Sequence, residues 1–417
     1  MTKSEGIAAI FDQYVMQTYS PTATLVSGKG CRVHNPERNV FMDFTAGLAV
    51  HNVGHCHPKV VEAIQKQVAA LGHVSNLFYT PGQALLAQRL SRLSLGGKCF
   101  FCNSGAEANE AMIKLARAWG HEKGKYEIIT MQNSFHGRTL ATLTATGQSK
   151  IQKGFEPLPI GFAYAEFNNL ESVAAAVGEQ TVAVMLEAVQ GEGGVLPATE
   201  EFVVGLRKLC DEKGLLLLFD EVQCGMGRTG KWFGWQHYPV KPDAFTLAKA
   251  LADGIPMGAL VATPELSAVF KPGMHASTFG GNPVVCAAAM AVIDVIEEEG
   301  LLNHAEHMGE LLAEGLRMFI DKHDQILDIR GKGLMVGMVV EGSAKEIVDV
   351  CREMGLLCCT AGEHVVRFLP PLNVKEPDIE EALEMVGDAI AEIYGEDEGE
   401  DSEASLADES GGHDSLI

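Results

Sequence analysis

Two charged side chains stand at the ends of apolar runs. Asp220 closes Leu215-Leu-Leu-Leu-Phe-Asp220, and Lys249 closes Phe245-Thr-Leu-Ala-Lys249. A carboxylate can hold a protonated ring nitrogen, and a desolvated amine can attack a carbonyl carbon. Together they suit a ligand that carries both groups, an aldehyde on a pyridine ring. Five consecutive apolar residues, Leu215 to Phe219, fit a strand buried on both faces of a parallel sheet. Asp220 then falls at the carboxyl edge of that sheet, where open α/β sheets bind their ligands. A strand merely ending in solvent and a solvated surface lysine account for either residue taken alone.

Further segments carry candidate chemistry. Asn103-Ser-Gly-Ala-Glu107 follows an apolar run and opens a helix, with Ser104 and Glu107 at capping-box spacing. Small residues at Gly105 and Ala106 leave backbone amides open to an anion, so this is a candidate phosphate cradle as well as a plain helix cap. Ser134-Phe-His-Gly-Arg138 supplies a flat aromatic face at Phe135 and a carboxylate clamp at Arg138. Gly225-Met-Gly-Arg-Thr-Gly230 matches a dinucleotide-binding pattern, yet the aromatic, Pro-interrupted segment after it is not a helix, so an ordered loop is expected instead. His51, His55, Cys56 and His57 raise the alternative of a metal site. Pro58 and the preceding glycine make this segment a turn into a helix without zinc-site spacing, and no metal is expected. Cys99 and Cys102 have redox-motif spacing but enclose two phenylalanines, as a buried strand would.

The elements that position these residues follow from the alternation of apolar runs with amphipathic stretches. Strands are expected at Cys99–Cys102, Glu127–Met131, Thr181–Leu186, Leu215–Phe219, Ala244–Leu247 and Ala259–Ala262, and helices at Ala106–Trp119 and Glu200–Lys213. This predicts an α/β fold with a mostly parallel, doubly wound sheet. From about Pro283 long helices (Val284–Glu299, Leu301–Lys322) precede strands near Ile326–Arg330, Gly333–Val340 and Val365–Leu369 and a last helix, Pro377–Tyr394, which predicts a smaller α+β domain. The expected division is 1–55 packing with the small domain, 56–282 as the large domain, 283–395 as the small domain, and an acidic, disordered tail over 396–417.

The 417 residues are 47% hydrophobic and 21% charged, as in ordinary globular proteins. A net charge of -23 argues against nucleic acid or an anionic membrane as partner, and nine of the acids lie in the tail. The longest apolar stretch, Val284 to Ile293, is too short to span a membrane, and no apolar segment follows the N-terminus. A cytoplasmic protein with its ten cysteines reduced is expected.

The order and spacing of Asp43-Phe-Thr-Ala-Gly-Leu-Ala-Val50, Gly54-His-Cys-His-Pro58, Asn103-Ser-Gly-Ala-Glu-Ala-Asn109, Phe135-His-Gly-Arg-Thr-Leu140, Glu187-Ala-Val-Gln-Gly-Glu-Gly-Gly194, Phe219-Asp-Glu-Val-Gln223, Leu247-Ala-Lys-Ala-Leu251, Ser277-Thr-Phe-Gly-Gly-Asn-Pro283 and Arg367-Phe-Leu-Pro-Pro371 resemble the class III aminotransferases. These are pyridoxal 5'-phosphate enzymes of fold type I, and the chain is most similar to members that act on acetylornithine. The resemblance implies that Lys249 bonds covalently to the cofactor aldehyde and that Asp220 pairs with the pyridine nitrogen. It implies that Ser104, Gly105 and Ala106 bind the phosphate, with Thr278 reaching it from the neighbouring subunit of a homodimer. Phe135 and Val222 would flank the ring and Gln223 would contact its phenolic oxygen. Arg138, with Ser277 nearby, would hold the α-carboxylate of acetylornithine. Glu192 would pair with Arg367 and release it to grip glutamate or 2-oxoglutarate. The implied reaction is ω-amino transfer in arginine biosynthesis, with ornithine, 4-aminobutyrate or succinyl-diaminopimelate as alternative donors. A decarboxylating or mutase member and a non-enzymatic metal-binding protein are the more distant alternatives. Gly72 stands where many relatives carry a large aromatic, implying a wider substrate pocket. Ala252-Asp253 replaces a glycine pair, and Cys224 a threonine.

Overall fold

The structure, a computed structural model, describes residues 2–395; the expected acidic tail lies outside them. Seven strands form the central sheet: β1 (Lys98–Cys102), β2 (Glu127–Met131), β3 (Phe162–Ala165), β4 (Thr181–Glu187), β5 (Leu216–Asp220), β6 (Ala244–Leu247) and β7 (Gly258–Ala262). Their order is β1-β7-β6-β5-β4-β2-β3. Burial on both faces explains why β4, β5 and β6 read as unbroken apolar runs, since every residue in them is buried.

Six strands are expected from the sequence and lie within a residue or two of their expected bounds. β3 is not foreseen, and β7 runs antiparallel to both of its neighbours. The rest of the sheet is parallel, joined by crossover elements that include the helices Gly105–Gly120 and Glu200–Lys213.

Register fixes the chemistry of the sheet edge. Asp220, the last residue of β5, lies level with Glu187 on β4 and Thr246 on β6. Lys249 follows β6 by two residues and starts a short 3-10 turn, Lys249–Ala252. Its backbone adopts a left-handed φ of 43°.

Beyond residue 283, Ile326–Lys332, Met335–Val340, Val365–Phe368 and Cys359–Thr360 form an antiparallel sheet in the order Ile326–Lys332, Met335–Val340, Val365–Phe368, Cys359–Thr360. The helix from Leu301 ends at Arg317, a turn earlier than expected. A helix at Ala344–Met354, unforeseen, packs with the last one, Glu376–Tyr394. Near the N-terminus, Ser27–Lys29, Arg32–His34 and Val40–Asp43 form a small sheet whose fourth strand is Leu356–Leu357, paired in parallel with Met42 and Asp43. Among the described residues no helix is long and apolar enough to cross a membrane.

Candidate active site

At the carboxyl edge of the central sheet a cavity of about 400 Å³ is lined by residues from six chain segments. Asp220 sits at its floor, 3% exposed. Its Oδ2 accepts from Asn109 Nδ2 at 2.7 Å and faces His136 Nδ1 at 2.8 Å, and its Oδ1 accepts the Val222 amide at 3.0 Å. Asn109 is itself oriented: the Thr246 hydroxyl donates to its oxygen at 2.7 Å, and its amide also donates to the His136 carbonyl. The carboxylate is thereby pinned between two parallel strands and a helix.

Lys249 also lines the cavity. Burial lowers its pKa, opposed by Glu192 and Asp220 and assisted by Arg367, which favours the free amine that attacks a carbonyl. Ser104 caps the helix Gly105–Gly120, its hydroxyl accepting the Glu107 amide at 3.2 Å. The Glu107 carboxylate reaches back past the cap to the Asn103 amide at 2.9 Å, so the expected reciprocal bond to the Ser104 amide of a capping box is replaced by one to the residue before it. The first turn, Ser104 to Ala106, faces the cavity. A Cβ on Gly105 would lie 2.8 Å from a Val222 methyl, so glycine permits the close approach of helix and Val222 here.

Phe135 lines the cavity and its amide donates to Glu187 Oε2 at 3.2 Å, while the exposed Arg138 guanidinium lies 5.5 Å from the Phe135 ring centroid. Gln223, also lining, accepts from Arg367 Nη1 at 3.1 Å. The same nitrogen pairs with Glu192 at 2.7 Å, and Arg367 is 1% exposed. Burial would raise the Glu192 carboxyl, yet the Arg367 charge and hydrogen bond, with Lys249 and Gln223, together outweigh it and hold the group below its ordinary value.

The structure therefore gathers Ser104, Gly105, Ala106, Phe135, Arg138, Asp220, Val222, Gln223 and Lys249 around one cavity, with the Glu192–Arg367 pair behind Gln223. Ser277 stands at the side, its hydroxyl 3.3 Å from Asn103 Nδ2. Thr278 is exposed and does not line the cavity, nor does Gly72, so the expected pocket widening at Gly72 has no counterpart within this chain's cavity.

Three lining residues escape sequence reasoning: Asn109, His136 and Glu187. Each had a signal. Asn109 lies one helical turn after Gly105, His136 sits between Phe135 and Arg138, and Glu187 ends a strand as Asp220 does. Glu187 is driven well above its ordinary pKa by burial and then by the neighbouring Asp220.

The other motifs resolve into structure. No helix opens over Gly225–Gly230; instead Arg228, fully buried, donates to the Leu334 and Pro370 carbonyls and to Asn52. His55 faces Asp43 at 2.7 Å, His51 faces Asp253 at 3.6 Å and His57 faces Glu299 at 3.2 Å, so each has a separate acid, and Cys56 is exposed. Among the described residues no group of three potential ligands converges on a metal position. Burial pushes the Cys99 and Cys102 thiols up to about 12, the opposite of redox activation. Asp253 adopts a left-handed φ of 47°, a conformation that glycine takes without strain. The Cys224 thiol donates to the Val189 carbonyl at 3.3 Å.

The cavity fits a phosphorylated pyridine aldehyde. It has a pinned carboxylate, a buried amine, a helix N-terminus with a glycine that a larger side chain would displace, and apolar walls at Val50, Ile255, Pro256 and Met257.

Known proteins point the same way. The model of the family described as aminotransferase class-III matches residues 14–390. The chain is 52% identical to the acetylornithine aminotransferase of Caldanaerobacter subterraneus subsp. tengcongensis over 91% of its own length and 98% of the relative's. It is similar to the crystal structure of the ornithine aminotransferase of Toxoplasma gondii ME49, with a TM-score of 0.91 at 30% identity, covering 94% and 96% of the two chains. It also resembles the N-acetylornithine aminotransferase structure from Stenotrophomonas maltophilia K279a, at 0.79 and 35% over 92% and 98%. A cavity built to hold a ring nitrogen, an aldehyde and a phosphate, and a match that runs nearly end to end, lead to one conclusion: the chain belongs to the class III aminotransferases.

Proposed function

We propose that the chain transfers the ω-amino group of N2-acetyl-L-ornithine to 2-oxoglutarate, giving N-acetyl-L-glutamate 5-semialdehyde and L-glutamate, a step of arginine biosynthesis in the cytoplasm. Its cofactor is pyridoxal 5'-phosphate. When bound, this group supplies a ring that accepts the electron pair left on the substrate carbon and carries nitrogen between the half-reactions.

Asp220 keeps the ring nitrogen protonated, because Asn109, His136 and the Val222 amide hold its carboxylate in place. Lys249 would hold the cofactor through its aldehyde carbon and, when free, would move a proton to or from the reacting substrate carbon. Amides of Gly105 and Ala106, with Ser104, take the phosphate at the helix N-terminus. Phe135 and Val222, which line the cavity, would hold the ring between them, and Gln223 would take its phenolic oxygen. Thr278, exposed on this chain, completes the phosphate site of a second copy in a homodimer; the exposed Leu77, Phe78, Tyr79 and Phe279 support such an interface. The division of the chain at residues 55, 282 and 395 belongs to the same proposal, supported by the pairing of Val40–Asp43 with Leu356–Leu357.

The observation that carries the substrate reading is a pair of arginines in opposite states. Arg138 is exposed at the cavity mouth, whereas Arg367 is buried and closed by Glu192. With Ser277, Arg138 takes the α-carboxylate of a donor whose amine lies at its far end. Only a dicarboxylate needs Arg367, and it must displace Glu192 to reach it.

The test uses the holoenzyme. Its visible absorbance should be lost in Lys249→Ala together with turnover. Mixed singly with acetylornithine, ornithine, 4-aminobutyrate and succinyl-diaminopimelate, the wild type should lose that absorbance fastest with acetylornithine. Acetylornithine among the slowest donors would overturn the substrate assignment, and a colourless protein that holds zinc would overturn the enzyme reading.

A further inference from the structure

The segment that carries Glu192 is docked on one row of the antiparallel sheet beyond residue 283. Val189–Gln190 and Leu196–Pro197 pair as a short hairpin, and residues 191–195 form its turn. On the sheet, Arg330 stands directly opposite Gly337, and Gly337 directly opposite Arg367. Residues in direct register share a face, so the two arginines flank a glycine on the side that meets the turn. Each member of the row takes one point of that turn. Arg367 Nη1 donates to Glu192 Oε1 at 2.7 Å, and Arg330 Nε donates to the Gly194 carbonyl at 2.8 Å. Val195 packs over the glycine, where an added Cβ on Gly337 would lie 2.8 Å from the Val195 Cβ.

Val195 is fully buried with a left-handed φ of 52°. A β-branched residue adopts that conformation only where its surroundings impose it. The turn is therefore held against strain, and it relaxes when an anchor is lost. Of the two arginine contacts, the one to Glu192 breaks whenever a dicarboxylate enters. The bond from Arg330 to Gly194 is the one that persists.

We propose that Arg330 is a positioning residue for Glu192: it pins the strained turn to the sheet so that Glu192 closes over Arg367 whenever the dicarboxylate is absent, and it thereby sets how strongly that substrate is opposed. This rests on the reading of Glu192 as the gate over Arg367. A gate that is mostly closed lowers the apparent affinity for the dicarboxylate by the fraction of molecules in which Arg367 is open. Loss of the Arg330 bond raises that fraction, and acetylornithine, which does not use Arg367, is unaffected.

The test reads the two half-reactions of the holoenzyme. Arg330→Met puts a methyl group where Nε stands, and its KM for 2-oxoglutarate should fall about fivefold, while KM for acetylornithine and kcat stay near wild type. General damage to the site raises KM, so the direction itself separates the two. Arg330→Gln places an amide nitrogen the same number of bonds from the backbone, and it should return KM to near the wild-type value. If the methionine variant does not fold, Arg330→Leu, also without a donor, carries the same comparison. A rise in KM for 2-oxoglutarate, no change, an equal fall for acetylornithine, or a fall that glutamine does not reverse would overturn the proposal. Glu192→Ala is measured alongside: if its KM for 2-oxoglutarate does not fall, the gate reading itself fails. A fall there beside an unaffected Arg330→Met defeats only the inference about Arg330.

Discussion

Three acids crowd the mouth of β5 and the strand beside it, and each is handled differently. Asp220 accepts three hydrogen bonds and faces the cavity. Glu187 is buried beside it, and burial with the Asp220 charge raises its pKa well above the ordinary value. Glu221 turns to the other side of the sheet, where its two oxygens each accept a backbone amide at 2.7 Å, from Gly234 and Trp235. Burial nevertheless raises Glu221 to about 8, with the two amides opposing. A carboxyl whose folded pKa is raised binds its proton more tightly in the native state. Its contribution to stability is therefore fully present below the unfolded value near 4.5 and declines as pH rises, until it levels off near 8. Glu221→Gln loses one amide partner at every pH and starts less stable. Its stability relative to wild type should then improve from pH 5 to 8, by up to roughly 1 kcal/mol per pH unit, as followed by calorimetric melting of both proteins across that range. Parallel curves would show that Glu221 does not titrate there. At this scale Asp220 and Lys249 were legible because each ends an apolar run. Asn109 and His136 were not, because their job is to orient Asp220 and nothing in their own segments names that partner.

Among the elements, the pleat and register of parallel strands bring Glu187, Asp220 and Thr246 level, and the turn after β6 then raises Lys249 above them. Strand existence was readable from apolar runs, strand direction was not: β7 looks like its neighbours in composition yet runs against both. β3 is a four-residue edge strand only partly buried, so it offers too few apolar residues to stand out. The helix Ala344–Met354 did carry a signal, since Ala344, Ile347 and Cys351 are buried at helical spacing between Ser343 and Gly355. The loop Gly225–Gly230 shows how a motif can mislead. Its glycines reach φ near 90° at positions 227 and 230, and that shape serves to bury Arg228 rather than to admit a pyrophosphate. Among the described residues Arg228 has no acidic partner and burial lowers it to about 9, so its bonds to Leu334, Pro370 and Asn52 bear its cost. Lysine cannot reproduce the planar fork. Arg228→Lys should cost about 3 kcal/mol of stability, read as a lowered urea midpoint with the cofactor absorbance of the surviving holoenzyme intact. An unchanged midpoint would show the loop to be free of this clamp.

For the whole molecule, the proposed dimer makes a prediction that no single subunit can satisfy. Lys249→Ala and Thr278→Ala homodimers should each be impaired, the first without measurable turnover. Refolded together from denaturant, the mixed dimer pairs the intact Lys249 of one chain with the intact Thr278 of the other, and activity should return to about half per site pair in those dimers. No recovery on mixing would place Thr278 in its own subunit's service. The change from a mostly parallel sheet to an antiparallel one after Pro283 was readable as a change of pattern, and packing of residues 1–55 with the later part was expected, but the particular pairing of Val40–Asp43 with Leu356–Leu357 was not, because pairing across such a separation leaves no local trace. That pairing has a consequence for how the protein is made. Val40–Asp43 finds its parallel partner only in Leu356–Leu357, and Arg32 finds Asp378 and Glu381 only later still. While the chain emerges from the ribosome, its first strands wait with one edge unpaired until almost everything else has been synthesised, and an unpaired edge is where nascent chains associate wrongly. The interval between translating Val40–Asp43 and Leu356–Leu357 is thus when this edge is open to wrong association.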